Sequence, residues 1–440
     1  MEANQKSQKI IEDIIKPVGI TKGFIIWMSF LTLVFIACIY AYTIQLHTGM
    51  GVTGLRDYVS WGMYIANFVF FVACSLIGML ISAVLGLIGF KWITPIARIA
   101  EIIALAFAAV SGLVIISDMG RPDRLIYVIS HGRLQSPILW DITVVTTYVA
   151  ISALLLFLPL IPDMILCRDN MHSAPKWQRQ LYNILSLGYT GTPAQVSSIE
   201  KSMRILLILI VPVAMAIHTV TSWLFAATPR AGWNSTIFGP YFVTGAFVAG
   251  SAAVIIAMYF FQKNYKLHRY ITDLHFNKMG QLLVLVSLIY LYFNINEFLV
   301  PAYKMEKAEA HHIHELFAGR YAAMFWGVQI FSLIIPIILL LFKKMRKPLP
   351  ILFISISVLI GSWLKRYLIV VPTQEHPFLP IQYVPDNFKL YTPTLIETAI
   401  TLASIVLVLM IITVLSKIFP IIPIHEIIKE EELNHEKSNS

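Results

Sequence analysis

YVSWGMYIANFVFFVACSLIGMLISAVLGLIGF, residues 58–90, runs from Asp57 to Lys91 without a charged side chain between them. About 20 apolar residues already span the hydrocarbon core of a bilayer, and with no water there to satisfy its backbone, such a segment is helical or part of a closed barrel. This run is too long for a barrel strand. It also exceeds the membrane thickness, which predicts tilt, a kink near Gly86 or Gly89, or protrusion.

The pattern recurs on both sides. Apolar runs near 23–44, 58–90, 97–116, 138–160, 203–227, 237–262, 278–301, 320–342, 349–372 and 392–419 predict ten transmembrane helices. The chain is 58% hydrophobic and 13% charged with a mean hydropathy of +0.74, far from the balance of a soluble domain. The expected class is an all-α integral membrane protein, with a single membrane domain over 23–419 and polar segments at 1–22 and 420–440. Too little sequence lies outside the spans for a soluble catalytic domain. The apolar stretch after residue 22 is longer than a signal-peptide core, so it reads as an uncleaved first helix. The long connection 162–202 reads as a solvated connector on the cytoplasmic side, and the tail after Ile424 as frayed.

The net charge of +9 resides in short loops between apolar runs, which excludes a nucleic-acid stripe and points to topology. Of the 33 Lys and Arg residues, 22 fall on the side of the termini. Positive charge stays cytoplasmic, so both termini are expected inside a bacterial cytoplasmic membrane. The three cysteines, Cys38, Cys74 and Cys167, are too scattered for an iron–sulfur cluster or a zinc site from this chain alone.

A charge at the bilayer centre costs about 2.5–3.5 kcal/mol on insertion scales, so ionisable residues inside spans are functional candidates. Asn67, Asp118, Asp141 and His218 fall towards the outer ends of the second to fifth spans, and Glu297, Lys365, Arg366 and Glu397 towards those of the seventh, ninth and tenth. Glu101 is the exception, near an inner end. A polar cluster at one face suits a ligand that enters from lipid, presents oxygens and exchanges protons, as a quinone does. The plainer readings are an ion-paired helix end for SDMGRPDR (117–124) and a buried, hydrogen-bonded imidazole for His218. Of 12 histidines only His218 lies well inside a span, which argues against a bis-histidine haem. His311, His312 and His314 beside Glu309 and Glu315 have helical spacing for a metal, but in a loop they read as a solvated surface, and no metal site is assigned. Gly78, Ser82, Gly86, Gly245 and Gly250 read as close-packing positions.

YVSWGMYIANFVFF (58–71), SDMGRPDR (117–124), SPILWD (136–141), HTVTSWLFAATPRAGWNSTIFGPYFVTGAFVAG (218–250), NEF (296–298), WLKRYLIVVP (363–372) and YTPTLIE (391–397) occur in that order. In these the chain resembles the NrfD/PsrC family of polysulfide-reductase-like membrane subunits, its ten-helix members above all, such as those of alternative complex III. The resemblance implies two four-helix bundles, spans 2–5 and 6–9, with flanking helices. It implies a quinone, menaquinone being expected, as bound substrate, with no haem or iron–sulfur cluster in the chain. It further implies an extracytoplasmic, ferredoxin-like iron–sulfur subunit joined to another redox or catalytic module. The chain would then be the quinone-reactive subunit of an oxidoreductase complex, not a complete enzyme.

By position, the resemblance makes Asp118 and Asp141 proton ligands of the quinone, with His218 beside them. Asn67, Arg121 and Arg366 join these three as groups holding the acids or the quinone head. Leu76, Leu224 and Lys365 stand where alternative complex III has ionisable groups of a suggested proton route, so proton pumping is not expected of this chain. A secondary transporter, whose site would lie at the midplane, and a membrane anchor without quinone chemistry are the alternative readings.

Overall fold

The computed structural model describes residues 2–171, 174–376, 383–385 and 388–439, so Met1 and Ser440 at the ends of the expected segments lie outside the described residues. It contains ten helices long and apolar enough to cross a membrane: α1 Lys22–Thr48, α2 Met63–Ile88, α3 Lys91–Asp118, α4 Pro137–Phe157, α5 Pro193–Ala226, α6 Phe238–Asn264, α7 Asp273–Lys304, α8 Ala322–Leu341, α9 Pro348–Glu375 and α10 Leu395–Ile418. Among the described residues there is no strand. Ten crossings return both termini to one end of the bundle. The opposite end, where α3 stops and α4 and α10 begin, is called the distal face below.

Helices α2 to α5 pack in a closed ring, as do α6 to α9, and the two rings meet where α2 touches α6 and α9 and where α5 touches α6. The expected pair of four-helix bundles is therefore present. Helix α1 pairs with α10, which in turn rests on α3. Helices α2 and α6 are the most enclosed and α1 the most exposed. Large apolar side chains such as Ile26, Leu33, Phe331 and Phe353 point outward, which in a bilayer is the lipid-facing surface.

Close approach explains several small residues. A Cβ added at Gly250 would lie 2.7 Å from Ile77 Cβ, and one at Gly78 would lie 2.6 Å from Ala104 Cβ, so α6–α2 and α2–α3 pack backbone to backbone. Gly86 is different, with nothing near it. Helix α2 absorbs its excess length through a π-helical stretch, Met79–Leu85, and a left-handed stop at Gly89 (φ 89°). Its expected first turn, 58–62, is instead irregular chain tied to α9, where Gln374 Oε1 accepts from Trp61 N–H at 2.9 Å. A second π stretch, Ile330–Ile334 in α8, leaves the Phe331 carbonyl free to accept from Ser357 of α9 at 2.8 Å.

Three expectations at the end of the bundle bearing the termini are corrected. Helix α5 starts at Pro193 rather than near 203, because Thr192 and Gln195 form a reciprocal capping box with proline in the first turn. The connection 162–202 is not merely solvated: helices Leu160–Asn170 and Lys176–Leu185 bury Asp163, Met164, Cys167 and Tyr182. The tail is helical over Ile424–Asn439, anchored by buried Ile421, Ile422, Ile424 and Ile427. Four isoleucines in so short a segment supply the apolar area that a frayed tail lacks.

Candidate functional site

Four backbone ends meet on the first bundle's distal side. Asp118 is the last residue of α3 and Asp141 lies in the second turn of α4, the two separated by the short helix Leu125–Ser130. Asp141 is 2% exposed and accepts from the Thr221 hydroxyl of α5 at 2.6 Å. His218, one turn before Thr221 and therefore on the same helix face, is equally buried. Neither of its ring nitrogens makes a hydrogen bond of good geometry, and the carbonyls of Ala214 and Val72 lie beside it. On the exposed flank of this pair, the Trp140 and Trp223 rings meet edge to face with centroids 6.5 Å apart.

Asp118 belongs to a neighbouring group. Its side chain is half-buried, and its Oδ1 has no hydrogen-bond partner. The preceding carbonyl, of Ser117, accepts from Gln45 of α1 at 2.7 Å, while Gln45 Oε1 accepts from the Tyr64 hydroxyl at 2.6 Å. Glu397 completes the neighbourhood, close enough for its charge and that of Asp118 to act on Tyr64. The Glu397 carboxylate accepts from Gly54 N–H (2.8 Å), Thr394 N–H (2.9 Å) and the Tyr391 hydroxyl (2.5 Å). This is the capping box of α10 extended to clamp the α1–α2 connection, a structural duty that occupies both oxygens.

The remaining candidates are dispersed. Asn67 is fully engaged: its Nδ2 donates to Thr401 and its Oδ1 accepts from Trp363 Nε1, each at 2.7 Å. It faces a groove of about 1310 Å³ between the bundles, whose lining includes Phe71, Phe107 and Trp363 but not Asp118, Asp141 or His218. Arg121 is at the surface, its guanidinium forming a two-point pair with Asp123 at 3.0 and 2.9 Å. That pair holds Asp123 below the usual carboxylate range, but both partners are exposed, and a pair of this kind contributes little to stability. Among the described residues no hydrogen bond joins Arg121 to Asp118 or Asp141.

Arg366 is inside the second bundle near its junction with the first. It is 2% exposed, its Nε and Nη1 lack partners, and its guanidinium carbon lies 5.0 Å from the Phe242 ring centre. A Cβ at Gly245 would lie 2.9 Å from its Nη2, so this glycine makes room for the guanidinium rather than for another helix backbone. Lys365, also buried, packs its ammonium 4.4 Å from the Phe298 ring centre. Around them runs a chain that sequence inspection did not reveal. Tyr290 donates to Tyr241 (3.3 Å), Tyr241 to Asn294 (2.9 Å), and Asn294 Nδ2 to Gln329 (2.8 Å). Glu297 nearby accepts from Ser235 at 2.7 Å.

Thr221 was missed but was accessible from its spacing to His218, and the capping role of Glu397, already placed at an outer end, was accessible from the T-x-x-E box. Tyr64 and Gln45 had no signal, since their partners come from other helices.

A bundle of ten lipid-length helices, with no strand among the described residues, defines a polytopic membrane protein that keeps carboxyl and imidazole side chains in its distal part. Residues 51–377 match the family model described as polysulphide reductase, NrfD, and the chain belongs to that family. It is 27% identical to a selenate reductase subunit of Mesobacillus selenatarsenatis over 93% of this chain and 96% of that one. It is 30% identical to a putative dimethyl sulfoxide reductase membrane subunit of Halobacterium salinarum, in an alignment covering 52% of this chain and 50% of the relative. A third relative, the integral membrane subunit of an Hdr-like menaquinol oxidoreductase of Archaeoglobus fulgidus, is 24% identical over 89% and 92% of the two chains.

Proposed function

We propose that this chain is the quinone-reactive membrane subunit of a multi-subunit redox complex, exchanging reducing equivalents between membrane menaquinone and an extracytoplasmic iron–sulfur subunit docked on the distal face. The observation that carries the reading is the buried polar atoms in the first bundle's distal part: Asp118 Oδ1, which has no hydrogen-bond partner, and the His218 ring, whose nitrogens meet only the Ala214 and Val72 carbonyls and at poor geometry. Buried donors and acceptors left unmade cost about 1–3 kcal/mol each, so a ligand that satisfies them is favoured there. The relatives named as subunits of a selenate reductase and of a menaquinol oxidoreductase support the same class.

When bound, the quinone supplies two-electron, two-proton chemistry. The chain's own groups supply the protons. Asp141, oriented by Thr221 at Oδ1, exchanges a proton at its other carboxyl oxygen. Asp118 is the second proton ligand, and His218 stands behind Thr221 as a hydrogen-bonding group. Trp140 and Trp223 mark the lipid-facing entrance beside Asp141. Arg366 supplies positive charge at the bundle junction. Arg121 and Asn67, already bonded to Asp123 and to Trp363 and Thr401, are supporting rather than reacting groups.

A photoreactive menaquinone analogue added to membranes containing the complex is expected to label the α3–α5 distal segments, with the label displaced by excess menaquinone. Labelling confined to other segments, or undiminished by menaquinone, rejects the site.

The orientation follows from the charge bias, with residues 1–22 and 420–440 cytoplasmic. Cysteine introduced at Arg121, in a Cys38→Ser background whose remaining Cys74 and Cys167 are buried, is expected to react with a membrane-impermeant maleimide in intact cells. Protection in cells and reaction only after lysis would place the distal face in the cytoplasm.

A further inference from the structure

The helix Lys307–Phe317, between α7 and α8, carries KAEAHHIHELF and presents its histidines in different directions. His312 turns inward: it is 6% exposed, and a Cβ at Gly232 would lie 2.5 Å from its Nε2. Burial and the neighbouring His376, Lys365 and His311 push its pKa down to about 3, so it is a neutral wall residue. His311 and Glu315 lie one turn apart on another face. There they meet His376, the C-cap residue that follows α9.

One ligand atom from each of His311, Glu315 and His376 lies within 4.8 Å of the other two. The two imidazole rings are 4.1 Å apart, centre to centre, and nearly perpendicular. The Nε2 of His376 is buried and has no hydrogen-bond partner. Glu315 is oriented by the Arg320 backbone N–H, which donates to its Oε2 at 3.1 Å. The Arg320 guanidinium is drawn away to Glu375 (3.2 Å) and the Tyr391 carbonyl (3.3 Å), so it does not neutralise Glu315.

We propose that His311, Glu315 and His376 form a binding site for a divalent transition-metal ion of the zinc type, which fastens helix Lys307–Phe317 to the end of α9. Two imidazoles and one carboxylate are a borderline donor set, suited to zinc and its neighbours, whereas calcium and magnesium require mostly oxygen. Tetrahedral coordination at about 2.0–2.1 Å needs ligand atoms about 3.4 Å apart. The ligand atoms, all within 4.8 Å of one another, thus exceed that spacing by about 1.4 Å at most, within reach of side-chain rotation. Three protein ligands leave one position for water or for a group of a docked partner. His311 is exposed and gives the ion a path of entry. The assignment does not depend on the quinone reading, since none of these residues belongs to that site.

The test uses the tag-free full chain, stripped with chelator in detergent and titrated with Zn²⁺, and with Co²⁺ as a spectroscopic probe. One equivalent is expected to bind, with intense tetrahedral absorption from Co²⁺. His311→Ala and His376→Ala are expected to weaken Zn²⁺ binding by about 100-fold or more, since even second-shell partners are worth 10–100-fold. Glu315→Gln is expected to weaken it by about tenfold, and His314→Ala, on the same helix but outside the trio, to leave it unchanged. Because His311 is exposed, its replacement leaves the fold intact, and the loss must appear in that variant. Undiminished binding by His311→Ala, equal losses in His314→Ala and His376→Ala, or no bound equivalent in the unaltered chain would overturn the assignment.

Discussion

Asp141→Asn is expected to lower quinol-linked turnover of the assembled complex by about 10²-fold or more, the range lost when a positioned proton-transfer group is removed. Asparagine at 141 retains a carbonyl oxygen able to accept from Thr221, so the 2.6 Å contact between α4 and α5 survives the substitution. What disappears is the carboxyl proton. Because the residue is 2% exposed and of unchanged volume, assembly and thermal stability should be preserved, which separates a chemical loss from a folding loss. Asp118→Asn should have an effect of the same order, because the unpartnered Oδ1 is the atom at which exchange is proposed. Thr221→Val should be milder, since it removes only the group that orients Asp141. Steady-state quinol oxidation and subunit stoichiometry, measured on the same preparations, check all three. Full turnover in both asparagine variants would remove the carboxylates from the mechanism.

Sequence was informative here in proportion to how local the physics is. The ten helices were readable because a bilayer imposes one length and one composition on whatever crosses it. The capping boxes at Thr192 and Thr394 are equally local, but neither was read from the sequence, and α5 was expected to start too late. The distal placement of Asp141 and His218 followed from counting along their spans, but the partner of each acid did not. Asp141 meets a hydroxyl on the next helix, and the Ser117 carbonyl beside Asp118 meets a glutamine at the end of α1, 72 residues away. Arg121 carried two readings from the sequence, a ligand by resemblance and an ion-paired helix end by proximity, and its pairing with Asp123, two residues on, agrees with the second. His311 and Glu315 were visible as a pair, but His376 arrives from α9, and only the fold brings it to them.

Arg98→Ala and Asp163→Ala should each destabilise the chain by about 3–5 kcal/mol, the usual cost of leaving one member of a buried ion pair without the other. The Arg98 Nη1 lies 2.5 Å from Asp163 Oδ2, with side-chain exposures of 2% and 0%. Around the pair the accounting of polar groups is nearly complete. Arg98 also donates to the carbonyls of Pro420 (3.2 Å), Ile422 (3.3 Å) and Pro159 (3.2 Å). Asp163 accepts from the backbone N–H groups of Ile424 (3.1 Å) and His425 (2.9 Å), capping the C-terminal helix where its own bonds begin. Removing the guanidinium therefore strands a carboxylate and three carbonyls, and removing the carboxylate strands a cation and two amides. Arg98→Lys should recover only part of the loss, because an ammonium lacks the planar fork that reaches acceptors from two segments at once. The double variant Arg98→Met with Asp163→Leu should be less damaging than the sum of the two alanine variants, since it leaves neither charge behind. Thermal unfolding in detergent and protease sensitivity of the C-terminal helix provide the measurement. If both single variants unfold at the original temperature, the pair does not hold α3, the α4–α5 connection and the C-terminal helix together.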